Sequence, residues 1–188
     1  MLGLSFPTAL LIGELASVGI ALVSAVSDWR RGEIPNWLTF PPLVIGPIFW
    51  LLVGGFDSVG LQLVGHSIAG MAICALVPYL LWRKDALGGG DVKIIAAMGG
   101  LVHVSRGLEF VLAGLIASGI YALLRLAWEG QLLRTLANSL FLALNPILPT
   151  SWRREVAREN MATVRMGGGF FVGALVTTLV RHPELWSG

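Results

Sequence analysis

Charge is what this sequence has least of. Only 13% of its 188 residues are Asp, Glu, Lys or Arg, where soluble domains carry about 25%. With 55% of the chain hydrophobic and a mean hydropathy of +0.78, there is too little polar surface to cover a water-soluble globule. Cysteine occurs once, at Cys74, which excludes an internal disulfide and any multi-cysteine zinc site. No Lys or Arg precedes Arg30, so the apolar N-terminal run lacks the basic flank of a secretory signal peptide and reads as a first membrane helix. No long polar stretch reads as disordered, and none alternates as a barrel strand would. The length suits one membrane-embedded domain over 1–188, and nothing points to a nucleic-acid partner.

Six apolar segments are present, at about 6–27, 37–54, 59–82, 92–104, 107–128 and 167–181. Backbone polar groups in lipid must bond within their own segment, so these are expected to be helices. The fold expected is all-α: a polytopic membrane bundle of about six transmembrane helices. The fourth segment is short, about 20 Å at 1.5 Å per residue against a hydrocarbon core of about 30 Å. It must lean on its neighbours or start below the surface. Segment 129–166 differs from the rest. It collects Arg134, Arg153, Arg154, Arg158 and Arg165 with Pro146 and Pro149, and its apolar stretch 140–148 is too short to span. Trp152 and Val156 at helical spacing suggest an interfacial helix near 150–165, with a solvated loop as the alternative.

Orientation follows from the basic residues. With the N-terminus outside, 11 of the 13 Lys and Arg fall in inner connections or at inner helix ends, and only Arg106 and Arg181 fall outside. This asymmetry predicts N-out, C-out in a cytoplasmic (inner) membrane. Trp29, Trp37, Trp82, Trp128 and Trp152 then form an aromatic belt at the inner interface.

Four carboxylates lie in or at the apolar segments: Glu14, Asp28, Asp91 and Glu109. Ionisable groups there are costly and are candidates for function. Asp28 ends the first segment and Asp91 opens the fourth, both on the inner side, so the two can meet across a bundle interior. Glu109 lies three residues after Arg106 and is expected to pair with it; Glu14 is deeper and has no partner nearby in sequence. Asp91 follows three glycines in Gly88-Gly89-Gly90-Asp91-Val92-Lys93. Glycines there permit a sharp turn and leave room for an extended substrate, and a helix N-terminus favours a carboxylate. Asp28 precedes a basic turn and then Ile34-Pro35-Asn36. Taken singly, Asp91 could be a capping residue and Asp28 half of a surface ion pair.

A pair of aspartates has a definite chemistry. Like charges at about 3 Å share one proton. The ionised member takes a proton from water and the protonated member donates to a scissile carbonyl. No metal and no cofactor is required. His66, His103 and His182 are scattered in sequence, and Cys74 sits in an apolar run as a small core residue would. Lys93 could tune the pair, meet an acidic residue of a substrate, or simply snorkel to the interface.

Together these motifs resemble those of the prepilin peptidases, the membrane aspartyl proteases with a Gly-x-Gly-Asp motif, and most of all their short form found with tight-adherence (Flp-type) pili. Gly88, Gly90, Asp91 and Lys93 match that motif and its Val-Lys continuation; Asp28 with Pro35 and Asn36 matches the first-aspartate motif. The resemblance implies catalytic Asp28 and Asp91 facing the cytosol. It implies a type IV prepilin-like substrate with a short basic leader, cut where leader meets hydrophobic helix. Long-form relatives also carry a cysteine-rich domain and methylate the new N-terminus; without paired cysteines that activity is not carried over. Two other readings compete: an intramembrane aspartyl protease of the signal-peptide-peptidase type, and a non-enzymatic transporter or scaffold of a secretion system.

Overall fold

The computed structural model describes residues 3–84, 87–133, 135–137 and 167–186. The regular elements described in full are helices: α1 (Phe6–Arg31), α2 (Asn36–Gly54), α3 (Ser58–Trp82), α4 (Gly89–Trp128) and α5 (Gly167–Arg181), with a short 3-10 turn at Pro183–Leu185. Helices α1 to α4, of 26, 19, 25 and 40 residues, are long and apolar enough to cross a membrane, and α5 is a shorter apolar helix. The chain is a polytopic helical membrane bundle. The interfacial helix expected near 150–165 lies outside the described residues.

By its contacts the chain falls into two units, Met1–Ala117 with Arg165–Gly188, and Ser118–Val164. The described part of the second is the end of α4 and the residues just after it, where Arg125 and Glu129 pair at 2.8 Å.

Local chemistry accounts for the helix ends. Ser5 caps α1 by accepting from the Thr8 N–H, and Gly32 closes it in the left-handed region at φ 71°, donating to the Asp28 carbonyl. α1 thus continues past the apolar run through the basic turn, and Asp28 lies inside its last turn. Asp57 caps α3, accepting from Val59 and Gly60 at 3.1 Å each.

Helix α4 is two arms, 89–102 and 104–128, joined at His103, which alone among its residues has non-helical dihedrals (φ 64°, ψ −179°). The chain reverses there: a methyl on Gly107 would lie 2.9 Å from the Gly99 Cα and 2.5 Å from the Cys74 Sγ. Among the described residues the two arms of α4 thus correspond to the fourth and fifth apolar runs of the sequence. A positive φ is costly for a side chain larger than glycine and persists only where the surroundings enforce it. Here the His103 ring lies 4.0 Å from the ring of Trp50 and 6.1 Å from that of Phe6.

The first arm, about 21 Å long, forms the centre of the bundle. Ile94, Ile95, Ala97, Met98, Leu101 and Val102 are all buried. Ile94, Met98, Leu101 and Val102 pack with Ala21 of α1, Phe110 of the second arm and Ala174 of α5, and Ile95 packs with Cys74, Val111 and Phe170. Glycines let backbones touch it on three sides: Gly13 of α1 faces Leu101, Gly46 of α2 faces Gly100, and Gly70 of α3 faces Gly99. A helix that ends inside a bilayer leaves carbonyls without partners. Side chains of the neighbouring helices supply donors: Trp50 Nε1 donates to the Leu101 carbonyl at 3.0 Å, and Ser67 Oγ to the Gly100 carbonyl at 2.6 Å.

At the end of the bundle that holds the His103 turn, the expected Arg106–Glu109 pair is not formed. Arg106 lies 3.4 Å from the buried Glu14, whose other oxygen meets His182 at 2.9 Å. Glu109 pairs with Arg181 instead. A surface pair at i,i+3 is worth a few tenths of a kcal/mol. A buried carboxylate left without a cation costs several kcal/mol, so Arg106 goes to Glu14. The histidines are not scattered in space either: the rings of His66 and His103 lie 5.8 Å apart.

Candidate active site

The opposite end gathers the C-termini of α1 and α3 and the N-termini of α2, α4 and α5. Trp29, Trp37 and Trp82 stand exposed there, as an interfacial belt requires. Asp28 comes from the last turn of α1 and Asp91 from the first turn of α4. Both are partly buried, and the Asp28 carboxylate is close enough to act electrostatically on that of Asp91. The structure therefore places at one end of the bundle, within electrostatic range, the two carboxylates that the sequence places 63 positions apart.

Each aspartate has a defined setting. The Asp91 side chain turns back toward Gly88. Gly88 precedes the helix and Asp91 is its third residue, the position from which the acidic side chain of a capping box faces the first backbone N–H. The capping alternative and the paired-carboxylate reading thus describe one side chain with two neighbours. A methyl on Gly88 would stand 3.1 Å from Asp91 Oδ2, so glycine leaves that oxygen uncovered.

Beside Asp28 lies Gly167, the first residue of α5. A methyl there would sit 3.2 Å from both Cβ and Oδ2 of Asp28 and 3.4 Å from the Ala25 Cα. Glycines at 167–169 permit close helix contact, but no spacing in the sequence points them at Asp28.

The remaining motif residues knit the two aspartate segments together. Ser27 Oγ donates to the Glu33 carbonyl at 2.9 Å, folding the turn after Asp28 back on α1. Ile34 of that turn fills the space beside Gly90, where an added methyl would be 2.8 Å from the Ile34 Cβ. Trp82, at the end of α3, lies against Gly89. Pro35 stands at the N-cap of α2 in extended conformation, which its ring favours, and Asn36 opens the helix. Lys93 Nζ donates to Asn36 Oδ1 at 2.7 Å and lies 5.1 Å from the centre of the Phe40 ring. It does not simply snorkel. Among the described residues, no three of His, Cys, Asp and Glu converge as a metal site would need.

Residues 15–123, which include both aspartates, the first arm of α4 and most of the second, match the model of the type IV leader peptidase family. The chain belongs to that family. Among curated proteins of this kind, the chain is 40% identical over 101 residues to the prepilin peptidase EppA of Methanothermobacter thermautotrophicus. That match covers 50% of this chain and 25% of the relative. It is 33% identical over 96 residues to a prepilin leader peptidase/N-methyltransferase of Dickeya chrysanthemi, covering 50% of this chain and 33% of that one. The chain thus spans a third or less of these relatives' length. No solved structure matches it.

Proposed function

We propose that this family member is an aspartic-type endopeptidase that removes the short basic leader from type IV prepilin-like proteins, with Asp28 and Asp91 as its catalytic pair. The observation that carries the reading is the placement of these two carboxylates at one end of a membrane bundle, within electrostatic range of each other, in a stretch that belongs to the leader peptidase family. The pair shares one proton. The ionised carboxylate takes a proton from a water, whose oxygen attacks the scissile carbonyl carbon. The protonated carboxylate donates to the carbonyl oxygen. The tetrahedral intermediate then collapses: the C–N bond breaks, the nitrogen leaves with a proton, and the pair again holds one.

The topology supports cleavage at a membrane boundary. The aspartates stand at helix ends beside exposed tryptophans and the basic turn of Arg30 and Arg31, not midway along their helices. A substrate whose apolar helix lies in the bilayer and whose basic leader lies in the cytosol would present its junction at that level. The charge asymmetry of the connections supports an orientation with this end on the cytoplasmic side of the inner membrane and both chain ends outside.

Co-expression with a prepilin, read by the mass of the mature N-terminus, tests the proposal. Asp28→Asn and Asp91→Asn are each expected to abolish processing while the protein still reaches the membrane. Processing at the normal rate by either variant would refute the assignment. The same mass reports whether the new N-terminus is methylated.

A further inference from the structure

The first turn of α4 carries Asp91 yet has little to hold it. Residues 88–90 are glycines without side chains to pack. Its opening backbone bond, from the Val92 N–H to the Gly88 carbonyl, is long at 3.4 Å. Contacts of Gly89 with Trp82 and of Gly90 with Ile34 stop the turn from sliding. Among the described residues, neither contact is a hydrogen bond that would fix rotation about the helix axis.

Lys93 supplies that component. Successive helical residues are separated by 100°, so Lys93 points about 200° away from Asp91. Its ammonium donates to Asn36 Oδ1 at 2.7 Å and lies over Phe40, one turn further along α2. A hydrogen bond on the side of the helix away from Asp91 resists any rotation that would swing the carboxylate from its partner. The bond also joins the two sequence motifs directly, because Asn36 opens the helix that follows the Asp28 turn.

We propose that Lys93 and Asn36 act as a positioning clamp: their hydrogen bond sets the rotation of the first turn of α4 and so aims the Asp91 carboxylate at Asp28. The clamp rests on the reading of Asp28 and Asp91 as the catalytic pair. Neither clamp residue touches the substrate. The lysine is committed to α2 and does not serve as a docking cation.

The test uses the full chain in detergent and a purified prepilin with a basic leader. Lys93→Met keeps most of the stem and loses the donor; Asn36→Ala loses the acceptor. Each is expected to lower kcat about tenfold, the scale of one charge-assisted hydrogen bond, with KM within about twofold. The double variant is expected to be no slower than the slower single one, because both remove the same bond. Lys93→Arg is expected to recover most of the loss. Losses that multiply to about a hundredfold would overturn the clamp. So would an effect on KM alone, which marks direct substrate binding, or a shifted kcat–pH profile in Lys93→Met, which marks electrostatic tuning. Should the Lys93 variants fail to fold, Asn36→Asp, which makes the bond an ion pair, is expected to outpace Asn36→Leu, which has similar size and no acceptor. Equal rates for these two would refute the clamp. Asp28→Asn and Asp91→Asn run alongside. Activity in either would sink the catalytic assignment; inactivity in both, with multiplying clamp losses, would sink the clamp alone.

Discussion

Gly70 of α3 meets the backbone of the first arm of α4, and replacing it by alanine tests whether that approach holds the bundle together. A methyl at position 70 would overlap the Gly99 carbonyl oxygen, and would lie 2.9 Å from its carbon and 3.1 Å from the carbonyl carbon of His103. All three are backbone atoms with no rotamer to yield, so the helices must part. Overpacking of this kind costs about 1–3 kcal/mol. One turn earlier, Ser67 donates to the Gly100 carbonyl at 2.6 Å. Separating the helices stretches that bond and forfeits about 1 kcal/mol more. Alanine returns up to about 1 kcal/mol as the better helix former. Gly65, on the same helix, has nothing within 4 Å of an added methyl, so Gly65→Ala carries the propensity gain without the clash. The two variants should therefore differ in unfolding free energy by about 2–4 kcal/mol, with Gly70→Ala the less stable. Titration with SDS in mixed micelles, followed by far-ultraviolet circular dichroism, measures the difference. Agreement of the two within about 0.5 kcal/mol, the error of such comparisons, would refute the claim that backbone contact organises the first arm.

Two further outcomes follow from the two ends of the bundle. Gly167→Val puts a branched side chain where a single methyl already lies 3.2 Å from the Asp28 carboxyl oxygen. A displacement of several tenths of an ångström should lower prepilin cleavage by roughly tenfold, and Gly168→Val, at a position with nothing within 4 Å of an added methyl, should not; equal rates for the two would refute the placement. At the other end, hydrogen bonds first to Glu184 and then to Glu14, together with their charges, raise the pKa of His182 above its ordinary 6.5. The folded state then holds the proton more tightly than the unfolded one. The stabilisation is complete below about pH 6.5, the unfolded value, and is lost as pH rises through the folded pKa. His182→Gln should abolish this part of the pH dependence of the micellar unfolding midpoint; a stability that instead rises with pH over that window would contradict the pairing.

Hydropathy and spacing are properties of one dimension, and the features that depend on them were legible in the chain. Apolar runs of sufficient length can only be helices in lipid, and the ends of α2, α3 and α5 fall within a residue of the runs. The end of α1 lies further on, at Arg31, because a helix need not stop where hydrophobicity does. The two aspartates were placed at one end of the bundle by counting segments alone, and the shortness of the fourth segment already required neighbours around it.

Partner choice was beyond reach, because it depends on which helix faces meet. Arg106 has an acidic residue three positions away and forms its ion pair instead with a carboxylate 92 positions back, since Glu14 is buried and must be compensated. Nothing in Arg165-Met166-Gly167 announces that Gly167 will rest against Asp28, and no spacing rule connects Lys93 with Asn36. The sequence by itself determined a membrane bundle with two carboxylates at a common depth. Only the tertiary structure decided which residues surround each of them: packing geometry selects contacts between helices, and a linear pattern of residues records only which contacts each helix could make.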